Sequence, residues 1–181
     1  MKKEDIDRWL RKKEERTAIL RIMTKPMTPT EIGEKIGLKR IRVEGFLGKG
    51  IFKCLTPEVK KGRVYGLTEE AQKKARKLAK DENRIYTYLE PSIDWYSYGW
   101  ITCSKPVRMI FKAVATGRES VKEIDEYLKA PGRQLILTYS YKYKLLRDLV
   151  KKGLLSVSGD KRKLFALTEK GKEIKNVILR E

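Results

Sequence analysis

GRVYGLTEEAQKKAR (residues 62–76) and RKLFALTEKGKEIK (residues 162–175) write one phrase twice in a single chain. Thr68 and Thr168 stand at the same phase of it, 100 residues apart. Each follows a short apolar alternation behind a basic loop that contains glycine. Each precedes a charged run with helical periodicity, and a threonine followed by acids is a helix start. The phrase therefore reads as loop, strand, cap, helix.

The likeness extends upstream. TAILRIMTKPMTPTEI (17–32) lies over MIFKAVATGRESVKEI (109–124) without a gap, at an offset of 92. Ile19 falls on Phe111, Ile22 on Val114 and Ile32 on Ile124. A third block sets GKGIF, ending at Phe52, on KKGLL, ending at Leu155. Three blocks in one order, with small changes of spacing, describe a duplicated domain. A solenoid would have shorter and more numerous copies.

Each copy has one coarse reading. A helix carries an apolar stripe of period 3.6 (Ala18, Ile19, Ile22; Met109, Ile110, Ala113, Val114). After a break, Thr28 or Thr30, or Ser120, caps a short second helix. Gly37 supplies a left-handed turn after the first of these. A third helix follows, then strands over 52–55 and 64–67, or 155–157 and 164–167, then the capped helix. The expected fold is mainly α with small β-hairpin wings, an α+β arrangement of two winged helix-turn-helix domains in tandem. The domains span 1–82 and 105–181, and an aromatic-rich ordered linker spans 83–104.

TPTEIGEKIGL followed by CLTPEVKKGRVYGLTEEA resembles archaeal winged helix-turn-helix transcription regulators. That resemblance implies a Cys-Leu-Thr-Pro wing, here residues 54–57, and a Gly-Arg-aromatic strand, here residues 62–65. It covers residues from about 14 to 82 and again from about 105 to 180. It implies duplex-DNA binding in transcription regulation, with the third helix in the major groove and the wing on the backbone. The first copy departs from the family in a shorter stretch from Glu31 to the glycine at 50, so its third helix is expected to be stubby. The second copy is longer there by the piece KAPGRQLIL.

Charge supports the same partner. Lys and Arg number 43 against 24 acids, a net charge of +19. A field of that sign favours a polyanion. The excess is shared almost evenly between residues 1–82 and 83–181. Composition rich in Lys and Glu is thermophile-like. No apolar run reaches 18 residues, and the charged first 16 residues lack the apolar core of a signal peptide, so the protein is expected in the cytoplasm and off the membrane. There is no histidine, and Cys54 and Cys103 are the two cysteines. No metal site, cofactor or catalytic residue is expected, and the chain is not read as an enzyme.

Candidate DNA-contacting residues follow from position. Lys39, Arg40 and Arg42 cluster at the head of the first unit's third helix, while Ile41, Val43, Phe46 and Leu47 serve its core. Three cations so close repel one another, and a phosphate relieves that repulsion. Lys60, Lys61 and Arg63 lie in the first wing, and Lys161, Arg162 and Lys163 in the second. Thr138 caps the second unit's third helix. With Tyr141, Leu145, Leu146 and Leu149 facing the core, Tyr139, Tyr143 and Arg147 share another face beside Ser140 and Lys144. Tyrosines there contact thymine methyls or phosphates, or serve the core or a dimer; a strand is the other reading of this alternation.

The middle segment carries Tyr86, Tyr88, Trp95, Tyr96, Tyr98 and Trp100. An ordered bridge, a dimer interface and a platform for single-stranded nucleic acid are its three readings. The leading function is sequence-specific binding of double-stranded promoter or operator DNA, at asymmetric half-sites about one turn apart. The alternative is an adaptor in a transcription or replication assembly, touching basal machinery and binding DNA generically. Monomer and homodimer both fit.

Overall fold

Thr28 and Ser120 open equivalent helices in the same way. Each side-chain oxygen accepts the backbone N–H of the residue three on, and that residue's carboxylate (Glu31 or Glu123) accepts the N–H of the cap in return. Two orphan donors at each helix start are thereby satisfied. The computed structural model that shows this describes residues 6, 9–10, 14–48, 50–160 and 162–179. It is mainly helical, with two small antiparallel hairpins. The chain divides into two compact units, Met1–Cys103 and Ser104–Glu181.

The first unit runs α1 (Glu14–Ile22), α2 (Pro29–Ile36), α3 (Arg40–Leu47), β1 (Phe52–Cys54), β2 (Tyr65–Leu67), α4 (Glu69–Asp81) and α5 (Trp95–Thr102). The second runs α6 (Lys105–Ala115), α7 (Val121–Lys129), α8 (Tyr139–Lys151), β3 (Leu155–Ser158), β4 (Leu164–Leu167) and α9 (Glu169–Ile178). The order helix, helix, helix, hairpin, helix repeats, and α5 is the first unit's addition.

The duplication reaches single hydrogen bonds. The Tyr65 N–H donates to the Met27 carbonyl at 2.9 Å, and the Phe165 N–H to the Glu119 carbonyl at 2.8 Å. The residue before each cap thus ties the second hairpin strand to the start of α2 or α7. Register pairs Phe52 with Leu67 in one hairpin and Leu155 with Leu167 in the other. Thr68 and Thr168 cap α4 and α9 by accepting the N–H of Ala71 and Gly171. The turn between α2 and α3 uses Gly37 at φ 70°, a left-handed conformation that costs a glycine little.

Each unit has its own core. In the first, Ile19, Leu20, Ile32, Val43, Leu47 and Leu67 are buried together, and Ile6, Trp9 and Leu10 join them. In the second, Phe111, Ile124, Leu146, Leu149, Phe165 and Ile174 are buried. The apolar pairs matched across the repeat, Ile19 with Phe111 and Ile32 with Ile124, are fully buried in both copies. Burying one such side chain contributes about 1.5–3 kcal/mol.

The aromatic segment belongs to the first unit. Tyr86 Oη donates to the Met23 carbonyl at 2.6 Å, and Tyr88 Oη accepts the Leu67 N–H at 2.9 Å. Burial pushes the pKa of the Tyr86 hydroxyl up to about 12. The Leu89 N–H donates to the Thr24 carbonyl. Asp94 then caps α5 by accepting the N–H groups of Tyr96 and Ser97. Gly99 on α5 meets Gly62 in the hairpin loop so closely that a Cβ on Gly99 would lie 2.0 Å from the Gly62 carbonyl oxygen. Of the segment 83–104 expected to link the domains, residues 83–103 therefore fall within the first unit.

Candidate nucleic-acid interface

A groove of about 410 Å³ opens where three elements of the first unit converge. Pro29 and Thr30 come from the first turn of α2, Arg40 and Glu44 from α3, and Lys60, Gly62 and Arg63 from the hairpin loop. Arg63 Nε donates to the Val59 carbonyl at 2.8 Å, which fixes the guanidinium against its own loop. Cys103 lines the same groove, and burial pushes its thiol up despite the pull of Arg40 and Lys61. A thiol raised in this way holds less of the reactive thiolate form.

The second unit opens a groove of about 400 Å³ in the equivalent place. Ser120, Val121 and Lys122 start α7, Tyr139 and Tyr143 lie on α8, and Arg162 and Lys163 lie in the hairpin loop. The pairs Pro29 with Val121 and Thr30 with Lys122 keep the offset of 92 found in the sequence. The cations of the loops, however, are not copied residue for residue, and the third helices differ in kind. Hydrogen bonds from the Ser120 backbone, then its hydroxyl, hold the Glu123 carboxyl below its usual range, with Arg162 adding to the effect.

Of the expected DNA-contacting residues, Arg40, Lys60 and Arg63 are brought together in one groove, and Tyr139, Tyr143, Arg162 and Lys163 in the other. Lys39 precedes α3 and is exposed, as is Lys61. Lys144 and Arg147 are exposed on α8 outside the groove lining, and Ser140 lies within 3.4 Å of the Thr138 hydroxyl. Lys161 lies outside the described residues. Sequence reasoning missed Lys122 and Thr30 as groove residues. The repeat alignment held their signal, because both sit two residues after a capping residue.

Three expectations need correction. The cations of α3 do not wait for a phosphate: Arg42 pairs with Glu15 of α1 at 2.6 Å, and Arg40 approaches Glu44 at 3.5 Å. Repulsion is already relieved by acids on the same unit, and Arg42 is turned toward α1. Ile41 is not a core residue. It is 76% exposed between Arg40 and Arg42, because Val43, Phe46 and Leu47 complete the buried face of this short helix without it. Tyr141 also faces outward, and Lys142 occupies the buried position, 5% exposed. Its ammonium pairs with Asp125, which also holds Lys129 at 2.6 Å. The Lys129 and Lys142 ammonium groups keep the Asp125 carboxyl below its ordinary range.

No family model matches the chain, and no curated protein matches it.

The arrangement suits a polyanion. Each groove combines cations from a loop with side chains at the head of a third helix and the first turn of a second helix. Among the described residues no group of three or more acids or cysteines is placed to hold a metal ion, and no helix is long and apolar enough to cross a membrane.

Proposed function

We propose that the chain is a sequence-specific, duplex-DNA-binding transcription regulator, and that its two units are winged helix-turn-helix domains. In this reading α3 and α8 are the helices that enter the major groove, and the loops after β1 and β3 are the wings. One observation carries it. A cation-lined groove recurs at the same junction of second helix, third helix and hairpin loop in both copies, although the copies use different residues. A fold that only had to bury its core would not need cations at that junction twice.

The surface divides its work. Lys60, Arg63, Arg162 and Lys163 hold phosphates and set orientation, while the head of α3 and, on α8, the exposed Lys144 and Arg147 meet base edges. On α3 the exposed Ile41 offers an apolar contact for a thymine methyl, and Arg40 a donor for guanine. The helix has eight residues, so its reach into the groove is short. The longer α8 carries different side chains, and an asymmetric site follows.

Selection from random duplex DNA, followed by footprinting, tests the proposal. The expected result is an enriched asymmetric motif. Arg40→Ala, Lys60→Ala and Arg63→Ala combined should lower duplex affinity and flatten its salt dependence. The slope of log affinity against log salt should fall by roughly one for each phosphate no longer neutralised. Arg42→Ala should change affinity less, because Arg42 is engaged with Glu15. Enrichment of no motif, with binding of every duplex alike, would leave the generic-contact adaptor as the better reading.

A further inference from the structure

The heads of the two third helices differ in chemistry as well as in length. At the head of α8, Tyr139 stacks on Tyr143 with ring centroids 6.2 Å apart and planes 16° from parallel. Tyr143 in turn meets Phe165 edge-on at 6.4 Å, and Phe165 is buried in the core. The upper ring is thus backed by a chain of rings that ends inside the fold. Yet Tyr139 is itself 66% exposed and lines the 400 Å³ groove. Such a volume falls within the range of small-molecule sites, roughly 300–1,000 Å³.

Around this platform stand Lys122, Arg162 and Lys163. Lys122 and Lys163 have no ion-pair partner among the described residues. The head of the first unit's third helix carries no ring: Arg40 and Ile41 stand there, and Tyr65, which lines that groove, lies on β2. A duplex offers a protein the edges of its bases, because the faces are covered by stacked neighbours. A flat, backed ring is complementary to a face. Unpaired bases can present a face, and proteins hold them on aromatic rings beside cationic backbone tracks.

We propose that the second unit binds single-stranded nucleic acid, with one unpaired base stacked on Tyr139 and the adjoining phosphates against Lys122, Arg162 and Lys163. The activity goes beyond the duplex reading and does not depend on it. Stacking needs only a π face, so the site tolerates any base, and the cations give the binding its salt dependence.

The test uses the full chain and two fluorescently labelled probes, an oligothymidylate single strand and a duplex, titrated at several salt concentrations. Tyr139→Ala should weaken single-strand binding by roughly 5- to 100-fold. Tyr139→Phe, which keeps the ring, should stay within about 2-fold of the parent. Duplex affinity should respond less to Tyr139→Ala than single-strand affinity does. Arg162→Ala with Lys163→Ala should flatten the single-strand salt slope, whereas Tyr139→Ala should leave it unchanged. Undiminished oligothymidylate binding by Tyr139→Ala overturns the proposal. An equal loss on both probes also overturns it, because Tyr139 would then be a duplex contact. Failure of the duplex probe to bind at all counts against the regulator reading alone, since the single-strand arm is read separately.

Discussion

Tyr98 Oη donates to Glu31 Oε1 across 2.7 Å, and both side chains are buried. The other carboxylate oxygen accepts the N–H and the hydroxyl of Thr28. One acid therefore joins α5 to the cap of α2, at the edge of the first unit's groove. Tyr98→Phe removes a donor from a buried carboxylate. The expected loss is about 1–3 kcal/mol of stability. Urea unfolding of the parent and the variant measures it, and an unchanged midpoint would mean that this hydrogen bond adds nothing to the docking of α5.

Gly99 and Gly62 make the second tie between α5 and the groove. Gly99→Ala places a methyl where the Gly62 carbonyl oxygen now sits, and backbone faces backbone on both sides. The loop carrying Lys60 and Arg63 must shift. A cost of about 1–3 kcal/mol is expected, typical of an overpacked contact. Thermal melting should show it, together with weaker duplex binding. Weaker binding without any fall in melting temperature would place the effect in the loop's position alone.

Gly45 sits within α3, and a Cβ there would meet nothing within 4 Å. Alanine is the better helix former by about 1 kcal/mol. Gly45→Ala should accordingly raise stability by up to that amount, seen as a higher unfolding midpoint. A fall instead would show that this stretch is not helical in solution.

Asp125 makes acid stability predictable in direction. Its folded carboxyl titrates below the ordinary value of 3.8 because Lys129 and Lys142 hold it ionised. In the interval between the two values the unfolded chain binds more protons, so stability rises with pH there. The contribution is complete above about pH 4–5 and is lost as pH falls through the folded value. Asp125→Asn should remove this part of the acid sensitivity. It should also destabilise the unit near neutrality, since it leaves the buried Lys142 ammonium without its charged partner. Unfolding measured from pH 2.5 to 7 checks both, and parallel curves for parent and variant would sink the assignment.

Much of the fold is legible in the sequence. Thr28, Ser120, Thr68, Thr138 and Thr168 cap helices as their positions foretell. Both hairpins lie within a residue or so of their expected bounds. Caps, turns and periodicity depend on neighbours within a few residues along the chain, so a sequence carries them directly. The basic loops are also legible as loops, and Lys60, Arg63, Arg162 and Lys163 do line grooves.

The features that sequence reasoning misses depend on distance in space. Ile41 reads as core until α3 is seen to complete its buried face with three other residues. Tyr141 reads as core until Lys142 is found in the buried position, paired with Asp125 of α7. The tyrosines of the middle segment leave a bridge, an interface and a platform all open until the hydroxyls of Tyr86, Tyr88 and Tyr98 are traced to Met23, Leu67 and Glu31.

By itself the sequence determined that the chain holds two copies of one helical unit with a hairpin, each opened by the same caps and each rich in cations. Those properties are local or additive: hydrogen bonds within a turn, an apolar period, a count of charges. Only the tertiary structure decided which cations share a groove, which are already neutralised by an acid, and that two tyrosines at the head of α8 stand near-parallel with offset rings. Those outcomes depend on how side chains from separate elements meet when a core closes, and no run of neighbouring residues encodes that meeting.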